Sequence, residues 1–262
     1  MKILLGTGTT YRTHTLRETE EMALSLGYDG IEIMMPPRHH GPGETERDTA
    51  YETVQQALAV HAPGDVFDAE RFAASLEDGI AVAQKVQAKI LNVHPASASF
   101  GGRENVVQAI ELIQRRREET GVTISYEVLV DPKGLSAERQ ERFAQMQAYQ
   151  SMDEWVEDVK KYNLLATLDT CHVATWRQEP AKYVQRLGEN LAHVHFSDYD
   201  STTGTEHLLP GEGEVDLAGF LRELQKHRPD VMLSLELIPR ETKEESTEAA
   251  RRSIEFIRSA LK

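Results

Sequence analysis

Eight short apolar runs separated by longer amphipathic stretches predict an α/β fold, a (β/α)8 TIM barrel formed as a single domain over residues 1–262. Three observations carry this reading. Strand-like and helix-like segments alternate along the whole chain. With 262 residues, 40% of them hydrophobic, the chain can bury one large core. The rival, a doubly wound open sheet, places a glycine-rich phosphate loop after its first strand, and "LLGTGTTYRTH" imitates that loop only weakly.

The elements follow in order. "KILLGT", "DGIEIM" and "ALAVHA" are the first three strands. The helix "DAERFAASLEDGIAVAQKVQ" comes next, its apolar residues recurring every three or four positions. "AKILNVHP" is the fourth strand, and the second such helix, "GRENVVQAIELIQRRREET", leads to the fifth, "VTISYEVLV". Residues 130–150, "VDPKGLSAERQERFAQMQAYQ", form one long irregular connection, read as an excursion over the barrel mouth. "LLATLDT", "LAHVHFSD" and "VMLSLELI" complete the set, with no linker, low-complexity segment or close internal repeat.

Composition excludes several classes. The formal charge of −14, unbroken by any Lys/Arg block, repels polyanions, which argues against generic nucleic-acid affinity. The single Cys171 rules out an intramolecular disulfide and a thiolate zinc cluster within one chain. No run approaches the roughly 18 apolar residues of a membrane span, and the apolar stretch of "MKILLGTGTT" is too short for a signal peptide. A soluble cytoplasmic protein with no membrane partner is the expectation.

Strand parity then locates a site. Successive strand side chains face opposite ways, so His193 and His195 share a face while Ala192 and Val194 take the helix side. The histidines point into the barrel, with His195 nearer the carboxyl end, where barrel enzymes assemble their chemistry. The same parity makes Glu127, Asp169 and Glu236 the last inward polar residues of their strands. Two residues back lie Ser125, Thr167, His193 and Ser234, a second polar layer. Three carboxylates and an imidazole converging in a barrel mouth cannot all be charged and unpaired. A divalent cation, Mn, Zn, Co or Mg, resolves the conflict, with the deeper residues orienting its ligands.

Further candidates lie on the same side. His61 and His94 end the third and fourth strands, His172 follows Asp169, and His207 lies in the loop after the seventh strand; each is an additional metal or substrate contact. His39 and His40 read as loop residues. Cys171 reads as a small packing residue at the strand end rather than a nucleophile. Of the aromatic residues, Tyr126 has outward parity and Trp155 fits a core helix face, which leaves Trp176 as the substrate-binding candidate beside its bland reading as packing.

The motifs "VHAPG", "NVHP", "YEV", "LDTCH", "HVHFSD", "HLLPGEGEVDL" and "SLEL" resemble the xylose isomerase-like barrel superfamily, across nearly the whole chain. That superfamily holds sugar isomerases and epimerases and the endonuclease IV group. The resemblance implies Glu127, Asp169, His195 and Glu236 as metal ligands, with Glu127 and Glu236 doubling as the acid/base pair. It implies a carbohydrate or sugar phosphate substrate, one or two divalent metal ions per chain, and a homodimer as an assembly common among such barrels. The alternative is an endonuclease IV-like zinc phosphodiesterase acting on abasic DNA. Here the chain departs from the pattern, because "TEH" puts Thr205 where the nuclease "DxH" has aspartate, and "APGDVFDAE" is acidic where a DNA backbone would pass. A non-catalytic sugar- or metal-binding barrel is the third reading.

Overall fold

The computed structural model describes residues 1–35, 51–64 and 68–262. Its centre is a closed barrel of parallel strands: β1 (Lys2–Gly6), β2 (Gly30–Met34), β3 (Ala57–His61), β4 (Ile90–Val93), β5 (Ile124–Glu127), β6 (Leu165–Asp169), β7 (Leu191–Phe196) and, last in the chain, β10 (Met232–Leu235). Each strand pairs with its sequence neighbour, and β10 closes the ring between β7 and β1. All eight apolar runs are barrel strands.

Around them lie α1 (Leu16–Leu26), α2 (Ala69–Val86), α3 (Gly102–Thr120), α4 (Ala137–Ala144), α5 (Met152–Lys161), α6 (Thr170–Thr175), α7 (Ala181–Leu187), α8 (Leu217–His227) and α9 (Lys243–Ala260). Local chemistry sets their starts. Thr15 and Thr242 form capping boxes with Glu18 and Glu245, and Asp68, Ser151 and Asp216 accept amide hydrogens at the heads of α2, α5 and α8. α1 stops at Gly27, whose φ of 91° suits glycine.

Two layers of packing follow from strand alternation. Outward residues such as Ile31, Ile33, Leu91, Tyr126, Leu168, Val194 and Phe196 bury against Phe72, Ile110, Trp155 and Phe220 of the helices. Full burial of each aliphatic or Phe side chain contributes roughly 1.5–3 kcal/mol. Inside the barrel, Leu4, Ala59 and Ile90 form a separate apolar floor, against which Leu58, Ala192 and Met232 pack. Above that floor the interior turns polar.

Two connections differ from the expectation. Residues 130–150 contain α4 and a 3-10 turn at Pro132–Gly134 rather than irregular chain throughout. α4 buries none of its residues, so it lacks the apolar stripe by which a helix is read from sequence. After β7 the chain makes an antiparallel hairpin, β8 (Asp198–Asp200) and β9 (Thr205–Leu208), so His207 lies on a strand rather than in a loop, with φ 57°. Among the described residues no helix is long and apolar enough to cross a membrane.

Candidate metal centre

Register brings the strand-end residues to one level. Asp169 is paired with His195, and His195 with Ser234, while Glu236 follows the last residue of β10 and donates its backbone N–H to Phe196 O at 3.3 Å. The side chains of Glu127, Asp169, His195 and Glu236 each present a ligand atom within 4.8 Å of the others. His195 Nδ1 lies 3.2 Å from Glu127 Oε1, 3.9 Å from Asp169 Oδ2 and 2.9 Å from Glu236 Oε2. Donors at about 2.1 Å from a shared ion stand roughly 3.0–3.4 Å apart, so this spacing suits a common cation.

Asp169 shows how the chain aims a lone pair. Its Oδ1 accepts the backbone N–H of Cys171 at 2.8 Å and of His172 at 3.0 Å, capping α6. That bond fixes the carboxylate and leaves Oδ2 buried without a hydrogen-bond partner among the described residues; Glu236 Oε2 is in the same condition. Orphaned carboxylate oxygens converging with an imidazole nitrogen are costly unless a cation satisfies them. A divalent metal therefore fits the donors present.

Glu127 belongs to two groupings. Its Oε1 faces His195, and its Oε2 lies 3.2 Å from His61 Nε2 and 3.3 Å from His94 Nε2. His61, His94 and Glu127 thus form a second donor set, with Glu127 as the carboxylate both sets share. The other ring nitrogens face backbone carbonyls: His61 Nδ1 is 2.7 Å from Ala62 O and His94 Nδ1 3.3 Å from Gly64 O. A carbonyl accepts only, so each Nδ1 donates and each Nε2 is left for a metal. Asn92 Nδ2 also donates to Glu127 Oε2, and is in turn reached by a relay in which Thr167 donates to Ser125 at 2.7 Å and Ser125 to Asn92 Oδ1 at 3.4 Å.

A third grouping joins Asp169, Cys171, His172 and His207. His172 Nδ1 faces Val128 O at 2.8 Å, which leaves Nε2 directed at Asp169 Oδ2, 3.7 Å away. Cys171 sits in the first turn of α6 rather than on the strand, with Sγ 3.6 Å from His207 Nδ1. Burial, reinforced by Asp169 and Glu206, pushes its thiol well above the usual range, so the metal-free residue is a neutral thiol.

The charges balance one another. Burial alone would favour neutral carboxyls, but the imidazoles of His195 and His94, with hydrogen bonds from His172 and His195, hold Glu127 well below the ordinary range. Burial is likewise outweighed at Glu236, held to about 2 by His195 and His207. His195 goes well above its usual value, because Glu127, Glu32 and Glu236 overcome the burial that disfavours its cation. Against the same penalty, Asp169, Glu127 and Glu206 lift His172 to about 10. The proton that these carboxylates favour on His195 and on His172 lies where a divalent ion would place its charge.

The structure also places residues that strand parity did not single out. Glu32, mid-strand between buried Ile31 and Ile33, reaches His195 from across the barrel. Its alternation with two isoleucines was the available signal. Asp198 accepts from Gly211 at 2.9 Å and Val215 at 3.0 Å, clamping the "GEGEV" turn, and Arg139 of α4 pairs with buried Glu206 at 2.6 Å. Trp176 packs against the core, one helical turn beyond His172, and its indole N–H donates to Leu129 O at 2.8 Å. Tyr126 and Trp155 are buried among the helices. His39 and His40 lie outside the described residues.

Comparison with known proteins agrees with this fold. The family model described as "Xylose isomerase-like TIM barrel" matches residues 21–260. The uncharacterized protein ML2432 of Mycobacterium leprae is 25% identical over 249 residues, which cover 86% of this chain and 84% of that protein. Among solved structures, the IolI protein with a binding zinc atom superposes with a TM-score of 0.73 at 17% identity, covering 99% of this chain and 98% of that one. The D-allulose 3-epimerase of Methylomonas sp. gives a TM-score of 0.67 at 19% identity, covering 100% and 98%.

Proposed function

This chain belongs to the xylose isomerase-like TIM barrel family, and from that premise we propose that it is a cytoplasmic, metal-dependent isomerase or epimerase of a small sugar or sugar phosphate. The observation that carries the reading is the pair of glutamates flanking one imidazole, with Glu127 Oε1 3.2 Å and Glu236 Oε2 2.9 Å from His195 Nδ1. Resemblance in fold to a sugar 3-epimerase and to a zinc-binding barrel supports it.

Glu127, Asp169, His195 and Glu236 would hold the ion, and His61 and His94 with Glu127 a second. Bound there, a Mn, Zn, Co or Mg ion would hold a sugar's carbonyl and adjacent hydroxyl oxygens and offset the negative charge that develops when a neighbouring C–H proton leaves. The carboxylates move that proton. Glu236, whose side chain keeps 17% of its surface exposed, reaches the rim and would take the proton from carbon; Glu127, fully buried, would have to enter the step as the protonated acid and give up its own proton from the other side. Return to the opposite face of the same carbon inverts it, and return to the adjacent carbon, with the hydroxyl proton passing between the two oxygens, exchanges aldose and ketose. Trp176 would serve as an aromatic wall for the ring, one turn from His172.

The endonuclease IV-like reading draws on the second and third donor groupings. Against it, Thr205 offers no carboxylate, its hydroxyl being 2.8 Å from that of Thr203, and neighbouring Glu206 is paired with Arg139. Elemental analysis with two assays separates the readings. One or two ions per chain with solvent deuterium entering a ketose supports the isomerase; three zincs with cleavage of abasic duplex DNA supports the nuclease. Metal bound with neither activity supports a non-catalytic barrel.

A further inference from the structure

Three histidines of the centre share one pattern, and His195 differs from them. In His61, His94 and His172 a ring nitrogen turns to a backbone carbonyl, namely Ala62, Gly64 and Val128. Among the described residues His195 has no carbonyl at its second nitrogen. Its Nε2 faces the carboxylate of Glu32, 3.3 Å from Oε1 and 3.2 Å from Oε2, and all three atoms belong to side chains with no solvent exposure. Glu32 comes from β2, which is separated from β7 by β1 and β10, so its side chain spans the barrel interior to make this contact. Ile31 and Ile33 anchor the strand in the helix-facing core and fix Glu32 inward.

We propose that Glu32 is a positioning residue for the metal centre: by accepting the Nε2–H of His195 it fixes the ring's tautomer and rotation, so that Nδ1 is the ligand atom. The inference rests on the metal-dependent reading above and adds a residue to it. An ionised carboxylate can only accept, so the nitrogen it faces must carry hydrogen, and the neutral ring then has its lone pair on Nδ1. Nδ1 is the atom that faces Glu127, Asp169 and Glu236. A carboxylate partner also raises ligand basicity more than a carbonyl does, because its full charge polarises the ring N–H. His193, whose Nε2 lies 2.8 Å from Ser234 Oγ and 3.5 Å from Glu32 Oε2, backs the carboxylate from below.

The test is nitrogen-15 NMR of the imidazoles in zinc-loaded protein, with zinc affinity measured by chelator competition in wild type, Glu32→Gln and Glu32→Met. His195 of the wild type is expected to bind zinc through Nδ1 with hydrogen on Nε2. Glu32→Met, similar in volume and unable to accept strongly, should lose about 10–100-fold in affinity. Glu32→Gln, whose amide oxygen still accepts, should fall between and keep the tautomer. Zinc bound through Nε2, or Glu32→Met affinity within about twofold of wild type, overturns the assignment while leaving the metal reading intact. A wild type that takes up no divalent ion overturns both. Should either variant fail to fold, the wild-type spectrum alone decides.

Discussion

Asp169 and His172 meet at both ends but bond at one: Oδ1 accepts the His172 backbone N–H at 3.0 Å, while the imidazole turns Nε2 toward Oδ2, 3.7 Å away and beyond hydrogen-bond reach. One carboxylate thus begins a helix and faces a candidate metal, and its two functions can be separated.

Asp169→Asn tests that separation. Asparagine caps helices as well as aspartate does, so the start of α6 and the circular dichroism of the metal-free protein should be preserved. The substitution removes a charged ligand, and divalent-metal affinity should drop by about tenfold or more. Unchanged affinity in a competition titration would remove Asp169 from the ligand set.

Metal removal should destabilise the fold. A ligand that binds only the native state stabilises it by RT ln(1 + [L]/Kd), about 2.7 kcal/mol at a hundredfold excess over Kd. For a chain of this size that corresponds to roughly 5–11 °C in Tm. Differential scanning fluorimetry with and without a chelator should show the shift, largest for the ion held most tightly. An identical Tm would argue against a native-state metal site.

The "GEGEV" turn is expected to tolerate no side chain at Gly213. A Cβ there would stand 2.3 Å from Tyr199 O and 2.5 Å from Asp198 Oδ1. Gly213→Ala should therefore displace the turn from Asp198 and lower stability by about 1–3 kcal/mol, read from denaturant unfolding. An effect below about 0.5 kcal/mol would mean that the turn yields freely.

Acid should loosen the join between α1 and α9. Glu18 closes the α1 capping box and pairs with Lys243 at 2.7 Å; that bond and those to Thr15 hold its carboxyl to about 2. The folded value is depressed, so its stabilisation is present above the unfolded carboxyl range and is lost as pH falls from about 4.5 toward 2. Both side chains are well exposed, which limits the effect to about 1 kcal/mol or less. The stability difference between wild type and Glu18→Gln should be measurable at pH 7 and vanish near pH 2. A difference that persists at low pH would assign it to packing.

The barrel and the convergence of four strand-end side chains are legible because alternation with period two leaves one inward polar residue at each strand end: Glu127, Asp169, His195 and Glu236. Glu32 and Asn92 obey the same parity. They are harder to single out because they sit one layer deeper or mid-strand, where the sequence does not say how far a side chain crosses the barrel. The partnership of Arg139 with Glu206 was not legible at all, since it joins α4 to the β8–β9 hairpin across a gap of 67 positions in sequence. Asp198 lies within a motif that was recognised, but its service as a clamp on three-dimensional turn geometry carries no periodic signature.

Proton transfer at the pair Glu127 and Glu236 is tested most directly by nuclear magnetic resonance of ketohexoses incubated in heavy water with manganese-loaded protein. Wild type should place deuterium at the carbon next to the carbonyl, and Glu236→Gln should slow that exchange by about 10²–10⁴-fold while keeping the circular dichroism of the fold. Exchange at the native rate in Glu236→Gln would contradict the account.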